Sequence, residues 1–567
     1  MFFRRFWVVV PVMRLSQTSE LWWKNAVIYC LDIETYADGN GDGVGDFQGA
    51  IQRIDHLDRL GVTCVWLMPF FPTPDRDDGY DIVDFYSVDP RLGTLGDFVE
   101  FMRVARDRGI RVIADLVVNH TSDQHPWFKD ARSSRDSRHR DWYIWSDEPE
   151  PDDPKGVVFP DQENSLWELD EDSGQYYFHR FYKFQPDLNT ANPAVRDEIA
   201  KILGFWMELG LSGFRVDAVP FLVEQVVESD TLPDPHDYFA ELRAFMNRRD
   251  GGAMLLGEVN LPYDDLMKYF GSTPLGNEIT MCFDFIGMQR MYLALARGDA
   301  RPLADSLRDR PKPPKDSQWA GFVRNHDELT LDKLTKKERD EVFKAFAPEK
   351  GMRIFDRGIR RRLPTMLDGD ARRIRLVYSL LFSLPGTPVL FYGEEIGMGE
   401  NLDIEGRAAV RTPMQWTPNL HGGFSTAEPA IPMTAGRYGP EEVNVSAQRR
   451  DPDSLLIWIT RLIEQYRECP ELAWGDYDVL DAGDTAVLAH RADIDGGTVL
   501  AAHNFADRDV EVELSLDGLD SDQVLTDLLQ DGTIEISDKG LARFDVEAYG
   551  CRWFRASTPE TAPADST

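Results

Sequence analysis

Short apolar runs of seven to nine residues recur from about residue 25, separated by longer stretches with helical spacing of apolar positions. The runs lie at 27–33 (VIYCLDI), 62–70, 110–118, 213–219, 253–260, 278–285, 319–327 and 387–395. They are apolar nearly throughout rather than alternating, as strands covered on both faces are. The segments between them, such as DFVEFMRVARDRG and AVRDEIAKILGFWMELG, read as amphipathic helices. Gly61, Gly109, Gly210 and Gly386 stand just before the next strand, where a helix needs a left-handed end. Eight strands alternating with helices predict an α/β fold, a (β/α)8 TIM barrel.

Two interruptions break the rhythm. Residues 119–190, after the third strand, are rich in Trp, Tyr, Asp and Pro and predict an inserted loop domain. Residues 328–368, after the seventh strand, are charged and predict a helical, lid-like insertion. The barrel itself is expected over 22–118 and 191–474. Long loops after barrel strands gather at the C-terminal face, where barrel active sites lie. Over 475–556 the pattern turns to short β-rich segments with Gly and Asp turns, a C-terminal antiparallel β-sandwich domain. Residues 557–567 read as a disordered tail. Residues 1–21 read as an N-terminal extension that imitates a signal peptide. Pro11 breaks its apolar run, no small-residue cleavage site follows, and Met13 offers an alternative start.

Charge removes whole classes of partner. The 567 residues hold 62 basic and 98 acidic side chains, a net charge of −36. Phosphate backbones need clustered Lys and Arg, so a nucleic-acid groove is not expected, and neither is binding to anionic membranes. No apolar run reaches 18 residues, so no membrane span is expected. At 42% hydrophobic and 11% aromatic the chain is a folded one with an acidic surface, suited to solubility or to high salt. Its five cysteines have no paired spacing, which predicts reduced thiols and a cytoplasmic setting.

The chemistry stands at the strand ends. The third strand leads to Asp115, Asn119 and His120, the fourth to Arg215 and Asp217, the fifth to Glu258, and the seventh to His326 and Asp327. Carboxylates converging on one barrel rim are costly unless paired or functional. Arg215 and Asp217, two apart on a strand, point to one face, and the guanidinium favours the ionised carboxylate that a nucleophile requires. Glu258 follows Leu255 and Leu256, and a desolvated glutamic acid with a raised pKa serves as a general acid. Two carboxyls in opposed environments fit glycosidic bond cleavage.

The motifs DLVVNH (115–120), GFRVDAV (213–219), GEVN (257–260) and NHD (325–327) resemble glycoside hydrolase family 13, the α-amylase family, over nearly all of residues 22–556. The resemblance implies Asp217 as nucleophile, Glu258 as acid/base and Asp327 as the group holding the 2- and 3-hydroxyls of a distorted glucose. It places His120, Arg215, His326 and Asn260 in the sugar-binding subsite and implies retention of the α-configuration. GYDI supplies Tyr80 to stack on a pyranose and Asp81 to grip its hydroxyls, and VRTPMQW supplies Arg411 as the expected partner of Asp81.

The run Asp38-Gly-Asn40-Gly-Asp42-Gly-Val44-Gly-Asp46 alternates oxygen-bearing side chains with glycine, a calcium-type loop without the closing glutamate of an EF-hand. The resemblance implies a Ca²⁺ site there, with Val44 lending its carbonyl. It also implies a second at Asn119, Asp187 and Glu224 with carbonyls of Phe221 and Leu222. LWWKNAVIY, DAVPFL and NHDELTLDKLTKKERDEVF with the following GIRRRL resemble the branch that interconverts maltose and trehalose. Departures from that branch are Glu34, Phe221 and the segment GEVNLP. The expected partner is a disaccharide or short α-glucan, with α-glucosidase or α-amylase hydrolysis the rival activity; a homo-oligomer is left open.

Overall fold

The computed structural model describes residues 21–149, 156–159, 162–229, 234–494, 496–519 and 522–557, without the side chains of 225–229. The signal-like segment up to residue 20 and the tail from 558 lie outside the described residues, as does part of the acidic run 146–155.

Eight parallel strands close into a barrel: β1 Ile28–Leu31, β2 Cys64–Leu67, β3 Arg111–Leu116, β4 Gly213–Val216, β5 Met254–Gly257, β6 Met281–Phe283, β7 Gln318–Phe322 and β8 Thr387–Phe391. Neighbours follow chain order, and β8 pairs with β1 through Ile28 and Val389. The sixth and seventh strands are shorter than their apolar runs: Asp284 leaves the sixth to cap the helix Phe285–Arg297, and residues 323–327 leave the seventh.

Local signals set the helix ends. Asp46 caps helix Phe47–Leu60 by accepting from Gly49 N–H, and Gly61 ends it at φ 90°. That helix buries Phe47, Ile54, Leu57 and Leu60 against the barrel. Thr94 and Asp97 form a reciprocal capping box on Leu95–Asp107. Asn192 and Pro193 open Pro193–Glu208.

After β3 the chain builds a small antiparallel sheet, with Gln175–Phe178 between Trp145–Ser146 and Trp167–Asp170. The insertion after β7 is only partly helical. Helix Lys336–Phe346 is joined by an antiparallel sheet of Leu329–Thr330, Gly358–Ile359 and Arg353–Ile354. The helix takes the charged run, which its Thr335–Glu338 capping box starts.

Beyond the barrel, a six-stranded antiparallel sheet faces a two-stranded ribbon, Val510–Ser515 with Leu541–Val546. Val510, Val512 and Leu514 alternate inward against Leu500 and Phe554. This unit docks on barrel helix Ala371–Ser383, where Trp553 Nε1 donates to Ser379 Oγ at 2.9 Å. All five cysteines are free, and among the described residues no helix is long and apolar enough to cross a membrane.

Candidate active site

The strand ends converge as the sequence predicts, and Arg215 is their hub. Fully buried, it gives Nη1 to Asp115 Oδ1 at 2.5 Å and to Asp217 Oδ1 at 2.7 Å, and Nη2 to Glu258 Oε2 at 2.7 Å. Trp66 Nε1 takes the other oxygen of Asp115 at 2.8 Å. One guanidinium thus spans both candidate catalytic carboxyls. Such closeness fits the ~5–5.5 Å of retaining pairs better than the ~6.5–9.5 Å that leaves room for an inverting water. Ala218, between Asp217 and the helix Val219–Ser229, sits at φ 51°, a left-handed conformation unusual outside glycine. It turns the chain so that its own N–H faces Glu258 Oε2 at 3.4 Å.

Electrostatics separate the three acids. Burial lifts Glu258 to about 7, against the pull of Arg215 and with the charges of Asp217 and Asp327 adding to it. Burial also lifts Asp217, to about 6, with Arg215 opposing. The sequence suggests a nucleophile held low by Arg215 alone; here desolvation and the charges of Asp115 and Asp327 outweigh that pull. Glu258 still keeps its proton to higher pH than Asp217. Asp327 goes the other way. Burial would raise it, but His326, Arg407 and Arg411 hold it well below the carboxylate range.

Around this centre, Tyr80 stacks on His326 with ring centroids 5.6 Å apart and its hydroxyl 2.7 Å from Nε2. His326 Nε2 lies 3.2 Å from Asp327 Oδ2. His120 Nε2 is 3.1 Å from the Tyr80 carbonyl, and burial lowers its pKa to about 4, so it is neutral. The ring atoms His120 Nδ1 and His326 Nδ1 are buried without hydrogen-bond partners.

One expected pairing is corrected. Asp81 does not meet Arg411; it is buried against Thr73 Oγ1 at 2.8 Å and the backbone N–H groups of Arg76 and Asp77. Arg411 holds Asp78 and reaches Asp327 Oδ1 at 3.1 Å. The pair that closes the cavity lies four residues earlier in both motifs. Arg407 donates to Asp77 Oδ1 at 2.8 Å and to Asp327 Oδ1 at 2.6 Å. Both residues were missed because the runs Asp77-Asp78 and Arg407…Arg411 each offer two residues of the right charge. Only the turn at Asp78, φ 50°, and Gly79, φ 88°, decides which faces inward.

The cavity, about 560 Å³, is lined by Asp217, Glu258 and Asp327 and roofed by both insertions. Arg357, from the insertion after β7, donates to Val158 O, from the insertion after β3, at 2.8 Å, and the rings of Phe355 and Phe159 lie 4.9 Å apart. Asn260 Nδ2 donates to Asp332 at 3.2 Å, leaving Asn260 Oδ1 buried and unpartnered at the cavity wall. Phe181, Phe221 and Leu261 complete an apolar side.

The loop at 38–46 holds its acids against its own backbone. Asp38 accepts from Gly41 and Gly43 N–H and Ser425 Oγ, and Asp46 from Gly39, Asn40 and Gly49 N–H. Its glycines are required, since a Cβ on Gly43 would meet Glu428 O at 2.3 Å and one on Gly45 Ile33 O at 2.2 Å. The donor set of Asp38, Asn40, Asp42, Val44 O and Asp46 suits a hard cation. Among the described residues, though, the carboxylates that gather most tightly are those of Glu34, Asp75 and Asp78. At the second expected site Asn119 is fully buried with neither amide atom partnered, and Asp187 is buried beside it across a bridge through His120. Glu224 is exposed and turned to Arg180 Nη2 at 2.9 Å, and Leu222 O accepts from Thr190 Oγ1. The structure therefore sets Asn119 and Asp187 on neighbouring, paired segments and leaves Glu224 in a separate ion pair.

Residues 33–475 match the alpha amylase catalytic domain, and 496–555 match the sucrose hydrolase-like C-terminal domain. The chain is 40% identical to the trehalose synthase of Pimelobacter sp., covering 95% of this chain and 96% of that one. It is 40% identical to the trehalose synthase/amylase TreS of Mycobacterium tuberculosis, covering 95% and 91%. Its fold superimposes on the crystal structure of the alpha-amylase from H. orenii with a TM-score of 0.76 at 25% identity, covering 94% of this chain and all of the other. With the barrel, its rim of acids and these likenesses in agreement, the chain belongs to the α-amylase family, glycoside hydrolase family 13.

Proposed function

We propose that this protein interconverts maltose and trehalose by intramolecular transfer of a glucosyl group, with hydrolysis to glucose as a side reaction. Asp217 attacks the anomeric carbon of the non-reducing glucose. Glu258 passes its proton to the glycosidic oxygen as that bond breaks, leaving a glucosyl ester on Asp217 and a free glucose. The freed glucose turns within the cavity. Its anomeric hydroxyl gives its proton to Glu258 and attacks the ester carbon, forming the new linkage and restoring both carboxyls. Asp327, kept ionised by Arg407 and Arg411, accepts hydrogen bonds from the ring hydroxyls of the bound glucose. His120, His326 and Tyr80 shape the same subsite.

The roof formed by Arg357 with Val158 and by Phe355 with Phe159 carries this reading. It encloses a cavity within the ~300–1,000 Å³ usual for small-molecule sites and shields the ester from water. The trehalose synthases that are 40% identical over nearly the whole length support it. Hydrolysis is the second reading. The apolar aglycone side of Phe221 and Leu261 offers free glucose few hydrogen bonds, and one relative is named an amylase as well. Incubation with maltose, resolving trehalose and glucose over time, tests both. Trehalose as the main product upholds the isomerase, and glucose without trehalose leaves only the hydrolase.

The oxygen donors of the 38–46 loop would take Ca²⁺, and the unpartnered amide of Asn119 beside Asp187 would accept a second ion. Both ions would be structural.

A further inference from the structure

A second cavity, about 450 Å³, lies between helix Phe47–Leu60 and the short helix Val445–Gln448, and it shares no lining residue with the catalytic cavity. Four arginines line it: Arg53, Arg59, Arg449 and Arg450. Arg53 and Arg59 stand three residues either side of His56, on one helix face. In a chain of net charge −36 such a cluster would be expected to collect carboxylates. It has not. Its lining carboxylate, Asp55, is turned away to Arg108 at 2.6 and 2.8 Å. Among the described residues none of the four arginines pairs with an acid. Arg53 donates to Gly423 O at 3.2 Å and Arg450 to Ser446 Oγ at 3.5 Å, and among the described residues Arg59 has no polar partner.

Two of the cations are aimed by buried side chains. His56, 3% exposed, accepts Arg449 Nη2 on Nδ1 at 2.8 Å. Its Nε2 must then carry the hydrogen and donate to the buried Glu395 at 2.7 Å, which fixes the imidazole tautomer and the direction of Arg449. Trp416, pinned by its indole N–H to Tyr36 O at 2.8 Å, carries the Arg53 guanidinium 4.7 Å from its ring centroid. Burial, and then the facing charges of Arg59 and Arg53, push the Arg449 guanidinium below its ordinary value. Arg53 and Arg449 are thus pre-placed beside the exposed Arg59 and Arg450, and the nearest carboxylate behind them, Glu395, is taken up by His56 and Tyr29.

We propose that this pocket binds a small phosphate-bearing anion, inorganic phosphate or a sugar phosphate. Guanidinium forks pair naturally with phosphoryl oxygens. Four of them offer more donors than one carboxylate can accept, whereas a phosphoryl group brings three oxygens and nearly two charges. A neutral sugar, the substrate of the catalytic cavity, has no use for such a cluster.

Titration calorimetry of the full chain at constant ionic strength tests this, with inorganic phosphate, glucose 6-phosphate and glucose as probes. One saturable site for inorganic phosphate is expected, and glucose, which the catalytic cavity holds, should neither displace phosphate nor lose affinity in the arginine variants below. Equal affinity for phosphate and ester shows that the phosphoryl group alone is read; tighter ester binding shows that the sugar is read too, and both uphold the site. Arg59→Gln and Arg449→Gln should each weaken binding about tenfold or more, as the loss of a charge-assisted hydrogen bond does. Maltose turnover without phosphate should stay at the wild-type level, because neither residue touches the catalytic cavity. Absence of saturation at millimolar phosphate, or affinity unchanged in both variants, overturns the proposal, whatever the enzyme does with maltose.

Discussion

Asp332 accepts the side-chain amide of Asn260 on both carboxylate oxygens, each at 3.2 Å. Asn260 stands two residues beyond Glu258, and Asp332 rides on the insertion after β7, steadied by Gln289 Nε2 at 3.0 Å and Lys333 Nζ at 2.7 Å. The pair ties the roof to the strand end that carries the acid/base. Asp332→Ala should raise the ratio of glucose to trehalose formed from maltose several-fold, by admitting water to the ester. Cleavage of p-nitrophenyl α-glucoside, whose aglycone does not have to be retained, should change little. Product analysis with both substrates checks this, and an unaltered ratio counts against the roof as a water barrier.

The two reacting acids need opposite protonation states. Activity requires Asp217 ionised and Glu258 protonated, and burial sets them at about 6 and about 7. The kcat/KM for maltose should therefore rise as pH increases through about 6 and fall as it passes about 7, a narrow bell belonging to the pair. In Glu258→Gln the alkaline limb should vanish and the rate should drop by about 10²–10⁴-fold, the usual worth of a general acid. A surviving alkaline limb would assign it to another group.

Arg407 pairs with two acids of the cavity wall at once, so its loss leaves Asp77 to Gln185 Nε2 alone and Asp327 to His326 and Arg411. Removing one partner of such a pair costs about 2–5 kcal/mol. Arg407→Lys should recover little of the roughly 10²-fold or greater loss in kcat/KM expected of Arg407→Ala, because a single, shorter-reaching ammonium lacks the two separate nitrogens that meet Asp327 and Asp77. Arg411→Ala, whose main partner Asp78 does not line the cavity, should lose less. Steady-state kinetics of the three variants order these effects.

If the 38–46 loop takes calcium, chelation should lower the melting temperature by a few degrees and added Ca²⁺ should restore it, as for any ion bound by the folded state alone. Asp42→Ala should abolish that calcium-dependent shift. Calorimetric scans with and without chelator measure it, and a melting curve indifferent to calcium in the wild type removes the site.

The barrel is legible because each strand is a doubly covered apolar run. The catalytic trio is legible because strand geometry sends Arg215 and Asp217 to one face whatever the loops do. The pocket's closing pair is not. Asp77 and Arg407 stand on irregular segments, where backbone turns rather than periodicity choose the inward residue. The insertion after β7 shows the same limit. Its charged run announces the helix Lys336–Phe346, but the short strands at 329–330, 353–354 and 358–359 are two-residue pairings that only tertiary contact stabilises. Glu224 is equally illegible, since its choice of Arg180 depends on a side chain 44 positions away.

Arg215 serves three carboxyls with one charge. Asp217 and Glu258 both titrate above the ordinary ~3.9 and ~4.3 of free carboxyls. Between those values and about 6–7 the folded chain holds protons that the unfolded chain has released, so folding stability declines as pH rises through that window. The catalytic rim is thus a standing debt of like charge that the rest of the barrel offsets. Its neutral imitations, Asp217→Asn and Glu258→Gln, should make a crippled enzyme that melts later than the fully active one.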